Sequence, residues 1–407
     1  MFFSDFIARN PRYIKPDGSS REAADLLAVF GEEIISFQVK SRLDSKATSE
    51  KSDVGFERIS RVVTKGMGQV STTRRALRNG WLKNITTSRG LTIPIPAAKP
   101  PRLTGIVVLD IVGEHLIKPE DRTRLYGSFA ALGKTPVHVF MLDEFNALSD
   151  ELDTMPDFVE FLQHVRQLYE GGLLLTPPAI LDLLAFYKMD PDSVADVIRN
   201  GTTLSLENGI WDGYQHDHAQ EIATRDKLNE PSYLIDAAIA FLHTSVGYKI
   251  PGDRTAQMGF RGQGSVEGYL TVAHELASLS RLKRRHLGER LLRCLRKAED
   301  KTFAFSVVID RPANRATLVM SSSMPRGDRQ EFLYKLCAMA YCRLSLTRIV
   351  GLATEPLSGE WRSYDVLQLN DVRFSNAEDL VKESDKFFGV PHAVTGSEYT
   401  PGSAPDA

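Results

Sequence analysis

Asp25, Gln38 and Lys40 are polar side chains near the two ends of a short, mostly apolar stretch, Asp25-Leu26-Leu27-Ala28-Val29-Phe30-Gly31-Glu32-Glu33-Ile34-Ile35-Ser36-Phe37-Gln38-Val39-Lys40. Together they offer a carboxylate, a neutral oxygen and an ammonium. A carboxylate beside a second oxygen can hold Mg²⁺, which keeps several waters and takes only one or two protein carboxylates. A neighbouring lysine can orient or deprotonate a water, or stabilise charge on a phosphate.

That chemistry requires the three to converge, and the intervening residues provide the means. Two apolar runs flank Gly31-Glu32, both rich in strand formers and too short for an ordinary helix. Glycine at the first central position suits a two-residue type II′ turn. In that register Phe30 faces Glu33, Val29 faces Ile34, and Asp25 comes opposite Gln38. Directly opposed residues share a face about 5 Å apart, and Lys40, two positions beyond Gln38, points to the same face.

The Asp…Gln-x-Lys pattern on a hairpin resembles the PD-(D/E)xK nuclease superfamily, in the form seen in Mrr-type restriction endonucleases. The resemblance covers roughly the first third of the chain. It implies an α/β fold with a restriction-endonuclease-like mixed sheet flanked by helices. Asp25 is then the metal ligand, Gln38 a weaker ligand through its side-chain carbonyl, Lys40 the catalytic lysine, and Glu22, on a preceding helix, the completing acid. The implied cofactor is Mg²⁺ or Mn²⁺, the implied reaction phosphodiester hydrolysis of DNA, and the implied role bacterial defence against foreign DNA. Such enzymes often act as homodimers or with a partner subunit. Gln38 is neutral, which removes one negative charge from the site and opens a second reading: a nuclease-fold subunit that binds nucleic acid or a partner protein without cutting.

Residues 56–79 have helical periodicity with Ile59, Val62, Val63 and Val70 as apolar positions. Arg58, Arg61, Lys65, Arg74, Arg75 and Arg78 stand against Glu57 alone. These bases can neutralise phosphates and guide a duplex, or simply form a solvated face. Gln69 lies among them, where similar nuclease folds carry a polar residue facing the site. A second basic run, on a long helix or two joined ones predicted from Tyr269 to about Lys297, includes Arg281, Arg284 and Arg285. Its partner is either nucleic acid or an acidic face such as residues 143–157.

The remaining sequence bounds the alternatives. With 50 basic and 52 acidic residues the chain is close to neutral, so any nucleic-acid surface is local. Three cysteines at non-metal spacing fit a reducing cytoplasm and argue against a disulfide framework. No apolar run approaches a membrane span, and no nucleotide-binding loop is present. The expected organisation is a nuclease-like domain over 1–150, a mainly helical region over 151–300, a small α/β unit over 301–388 and a disordered tail. Within it, a short helix near residues 2–7, a helix start at Ser19-Ser20, a loop over 41–55, a helix over 119–132 and irregular chain over 200–260 are expected. His216-Asp217-His218 offers a weak two-histidine metal pair if it lies on a strand.

Overall fold

A computed structural model describes residues 6–30, 33–42, 56–87, 92–95, 102–111, 128–132, 135–176, 178–245, 266–358 and 363–388. Contacts divide the chain into two compact units, residues 1–243 with 273–288, and residues 244–272 with 289–407. The described chain is mixed α/β. It has an N-terminal mixed sheet, a helical middle and a small C-terminal sheet with helices. Among the described residues no helix is long and apolar enough to cross a membrane.

The first unit is built on a six-stranded sheet. Its strands are β1 (Ile7–Arg9), β4 (Leu26–Phe30), β5 (Glu33–Arg42), β8 (Arg102–Ile111), β9 (Ser128–Leu132) and β10 (Thr135–Met141), in the order β1-β4-β5-β8-β10-β9. Short hairpins flank the sheet: β2 (Arg12–Ile14) with β3 (Ser20–Glu22), and β6 (Asn84–Thr86) with β7 (Thr92–Pro94). β4 and β5 are antiparallel, with Phe30 opposite Glu33 and Val29 opposite Ile34, the register expected from the sequence. The turn residues Gly31 and Glu32 lie outside the described residues. Helix α1 (Phe56–Arg78) connects β5 to β8, which run parallel, as parallel neighbours require a long crossover.

Both faces of the central strands are covered, which is why they read as nearly continuous apolar runs rather than alternating ones. Leu27, Val29, Ile34, Leu103, Val107, Leu109, Val137 and Val139 form a core with Val63, Met67 and Val70 of α1. On the other face Phe37 and Phe140 meet Phe145 of α2 (Leu142–Glu151), and Phe145 meets Phe158 of α3 (Met155–Glu170). The helical middle continues with α4 (Ile180–Met189), α5 (Pro191–Asn200), α6 (Ile210–Asp217), α7 (Ala219–Asn229) and α8 (Ser232–Ser245). Then come α9 (Val266–Ala277) and α10 (Arg281–Lys297).

The second unit carries β11 (Phe303–Asp310), β12 (Arg315–Ser322), α11 (Arg326–Arg343), β13 (Arg348–Thr354), β14 (Tyr364–Asn370) and α12 (Ala377–Phe388). Its four-stranded sheet is ordered β11-β12-β13-β14, with β12 and β13 parallel across α11. Leu318, Met320, Ile349 and Leu367 pack with Leu333, Leu336 and Cys337 of α11 beneath the aromatic end of α12.

Several local expectations are corrected. Residues 7–9 and 20–22 are strands, not helix, because each pairs with a neighbouring strand that supplies its backbone hydrogen bonds. β5 runs to Arg42, so residues 41 and 42 are strand rather than the expected loop; residues 43–55 lie outside the described residues. Of the helix expected over 119–132, residues 128–132 form edge strand β9 against β10, and 119–127 are not described. The irregular region near 200–245 holds α6, α7 and α8. Of the long helix or two joined ones expected from Tyr269, the chain forms two, separated between Ala277 and Arg281. The expected disordered tail, residues 389–407, lies outside the described residues.

Candidate active site

Asp25 stands immediately before β4 and is held by its own backbone. Its N–H donates to the Phe37 carbonyl at 3.2 Å, and its carbonyl accepts the Asn10 N–H at 2.9 Å. Its carboxylate Oδ2 accepts the Val39 N–H at 2.6 Å, so the side chain continues the ladder where β4 stops. That bond fixes the carboxylate against β5. The Lys40 ammonium lies 3.2 Å from the same oxygen and 3.5 Å from Gln38 Oε1, and it also donates to the Val39 carbonyl at 3.3 Å. The carboxylate, the amide and the ammonium therefore meet at one end of the hairpin, with Lys40 16% and Asp25 28% exposed.

Gln38 is fully buried, and its Nε2 has no hydrogen-bond partner among the described residues. Gln69 Oε1, on α1, is likewise buried and unpartnered. Gly105 pairs with Ser36 and meets Val70, whereas Val107 pairs with Gln38 and meets Gly66. α1 thus runs antiparallel to β5, with Gly66 level with Gln38 and Val70 level with Ser36. Four helical residues advance about 6 Å, close to the rise of two strand residues. Thr73, one turn from Gln69, donates to the Ala23 carbonyl and stands 3.4 Å from the Ser36 hydroxyl, two strand residues from Gln38. A buried donor and a buried acceptor left unpaired each cost about 1–3 kcal/mol, an expense typical of a site rather than a core.

The close seating of α1 follows from two glycines. A Cβ on Gly66 would stand 2.9 Å from Val107 Cγ2, and one on Gly105 would stand 2.5 Å from Val70 Cγ1. Any side chain at either position would lift the helix and the amide it carries.

The donor set suits a hard cation that retains most of its waters. It offers one carboxylate on Asp25 and the amide oxygen of Gln38, both beside the Lys40 ammonium. No group of three or more His, Cys, Asp or Glu side chains is placed to hold a metal among the described residues. Mg²⁺ and Mn²⁺ fit such a sparse oxygen set; a calcium cage or a zinc centre does not.

Glu22 ends β3 opposite Arg12 and is exposed. It lies on a strand, not on a preceding helix, because residues 20–22 pair with 12–14. On α1, Arg61, Lys65 and Arg75 are exposed and fall within about 40° of one line along the helix axis. Gln69 lies between that stripe and the sheet-facing side, while Arg74 is half-buried on the opposite flank. The side chain of Arg58 lies outside the described residues.

Arg284 is only 1% exposed. Its guanidinium donates to Asp236 at 2.7 Å and to the carbonyls of Leu279 and Ala277 at 3.0 and 2.6 Å. Arg281 beside it bonds Asp153 and Asp236, and its N–H bonds Asp157. The start of α10 is thus bound by the acidic residues 153, 157 and 236, and Arg284 is not presented to a nucleic acid. Arg285 is half-buried. His216 lies on α6 and His218 at its end, paired with Glu221, so helical rather than strand spacing separates the two rings.

One polar cluster escaped sequence reasoning. In the second unit Arg329 and Asp365, both 1% exposed, bond at 2.6 Å, with Arg326 at 2.7 Å and Gln330 at 3.0 Å on the other Asp365 oxygen. Glu355 meets Arg329 at 2.6 Å and accepts the Ser363 N–H at 2.7 Å. Burial acts to raise the Glu355 carboxyl; the Ser363 hydroxyl and the Arg329 guanidinium outweigh it and hold it below its ordinary value. Two arginines balance two carboxylates, which makes this a clasp between α11 and β14. The i, i+3, i+4 spacing of Arg326, Arg329 and Gln330 is its signal in the sequence.

Compared with protein-family models, curated proteins and solved structures, the chain matches none.

Proposed function

We propose that the chain is a metal-dependent nuclease that hydrolyses phosphodiester bonds, with DNA as substrate, in the manner of Mrr-type PD-(D/E)xK enzymes. The convergence of Asp25, Gln38 and Lys40 carries this reading: Asp25 Oδ2 and Gln38 Oε1 lie 3.2 and 3.5 Å from one lysine ammonium. Asp25 and Gln38 would hold Mg²⁺ or Mn²⁺. When bound, the metal polarises the phosphate and makes a water acidic enough to attack it. Lys40 donates hydrogen bonds to charge gathering on the phosphate oxygens. Arg61, Lys65 and Arg75 neutralise backbone phosphates and set the register of the duplex on α1. The resemblance extends the proposal to a cytoplasmic enzyme that restricts foreign DNA.

A second reading rests on the sparse charge of the site. One carboxylate and one amide bind a dication more weakly than an acidic pair, and this favours a nuclease-fold subunit that holds nucleic acid without cutting it. Incubation of supercoiled, linear and single-stranded DNA, and of RNA, with Mg²⁺ or Mn²⁺ separates the two. Metal-dependent cutting that Lys40→Ala abolishes, with binding intact, supports the nuclease. Salt-dependent binding without cutting in either metal supports the subunit.

A further inference from the structure

Lys40 occupies the position a dication would need. Its ammonium lies between the two oxygens assigned to the metal, 3.2 Å from Asp25 Oδ2 and 3.5 Å from Gln38 Oε1. It is largely buried there, at 16% exposure, and also donates to the Val39 carbonyl at 3.3 Å. Asp25 Oδ2 is fixed by the Val39 N–H, so a dication on that oxygen would have to share it with the ammonium. A dication and this ammonium at the same oxygen repel each other, and both stand in a setting poorer in water than the surface.

We propose that Lys40 is the resident counter-ion of Asp25 and competes with the divalent cation for it, so that metal enters only as the ammonium is displaced. This rests on the reading of Asp25 as a metal ligand and adds a control to that site. A phosphate diester lying along α1 offers the displaced ammonium a new anionic partner. The metal site is thereby weak in the free protein and completed by substrate, which keeps the hydrolytic centre unassembled away from nucleic acid.

The test is Mn²⁺ binding to the full chain without nucleic acid, read by electron paramagnetic resonance of the free ion, in wild type, Lys40→Met, Lys40→Arg and Asp25→Asn. Circular dichroism and thermal melting confirm that each variant is folded. Lys40→Met is expected to bind Mn²⁺ more tightly by about fivefold or more, the effect of removing a partly exposed ion pair that competes with the metal. Lys40→Arg keeps the charge and stays within about twofold of wild type, and Asp25→Asn loses the site. Unchanged or weaker binding in folded Lys40→Met, with Asp25→Asn still abolishing it, overturns the counter-ion role and leaves Asp25 as a ligand. Equal tightening in Lys40→Met and Lys40→Arg also overturns it, because charge is then not the cause. Absence of any Asp25-dependent Mn²⁺ binding in both wild type and Lys40→Met overturns the inference and the metal site together.

Discussion

Gly105→Ala tests whether the close approach of α1 to the sheet positions the site. The new methyl would meet Val70 Cγ1 at 2.5 Å, Val70 Cγ2 at 3.0 Å and Val137 Cγ2 at 3.1 Å. Ordinary carbon contacts begin near 3.5 Å, so α1 must lift by about 1 Å. Overpacking of this kind costs about 1–3 kcal/mol, and the strand position allows little relaxation because Gly105 is paired to Ser36 on one side and Val137 on the other. Val70→Ala alone removes two buried carbons, worth about 0.8 kcal/mol each before the cavity they leave. The double variant places the new methyl in the space Val70 gives up. Its loss is expected to fall short of the sum of the singles by about 1.5–2 kcal/mol, measured by urea titration of all four proteins. The lifted helix also moves away from Gln38, so cleavage should drop about tenfold or more in Gly105→Ala, as small misplacements of positioning groups do, and recover partly in the double variant. Additivity within about 0.5 kcal/mol would refute the contact as the cause.

Asp236→Ala leaves the Arg284 guanidinium buried without its carboxylate and should destabilise the first unit by about 3 kcal/mol, below the upper end for buried pairs because Asp236 is 21% exposed. A melting curve shifted by less than the equivalent of about 1 kcal/mol would show that the carbonyls of Leu279 and Ala277 suffice. Burial, with Arg166 adding positive charge, pushes His138 down to about 3, below its ordinary 6.5. The folded state therefore refuses a proton that the unfolded state takes, and this part of the stability, complete above pH 6.5, is lost by up to about 1.4 kcal/mol per unit as pH falls from 6.5 toward 3. His138→Phe, which keeps a ring stacked on Phe140, should flatten that slope in denaturant midpoints, and an unchanged slope would contradict the burial effect. Arg61→Ala and Lys65→Ala should each weaken DNA binding uniformly across sequences and reduce the salt slope by about 0.9, whereas Arg284→Met, whose guanidinium faces inward, should leave the slope unchanged.

The hairpin was legible because register follows arithmetically from the turn. Once Phe30 is set opposite Glu33, Asp25, Gln38 and Lys40 must share a face, and the sheet agrees. Failures came where partners distant in sequence decide the conformation. Ser20-Arg21-Glu22 has capping residues suited to a helix start, yet β2 captures it as a strand. Residues 128–132 follow a helix-compatible pattern, yet the edge of β10 offers them a ladder. The basic run of α10 left two partners open, nucleic acid or the acidic residues 143–157; Asp153 and Asp157 bind Arg281, and only Asp236, arriving from α8, had no signal in the sequence. The close seating of α1 on the sheet depends on Gly66 and Gly105, whose role as points of contact shows only in the fold.

The central claim is that Asp25, Gln38 and Lys40 form a hydrolytic site, and single-turnover cleavage of duplex DNA with Mn²⁺ tests it most directly. Wild type, Asp25→Asn and Lys40→Ala are compared at matched, saturating DNA occupancy, so that only the chemical step differs. The expected result is a fall of about a hundredfold or more in each variant, the size usual for removing a group that acts on the reacting atoms. Cleavage by Asp25→Asn and Lys40→Ala at the wild-type rate would contradict the claim and place any hydrolytic chemistry elsewhere in the chain.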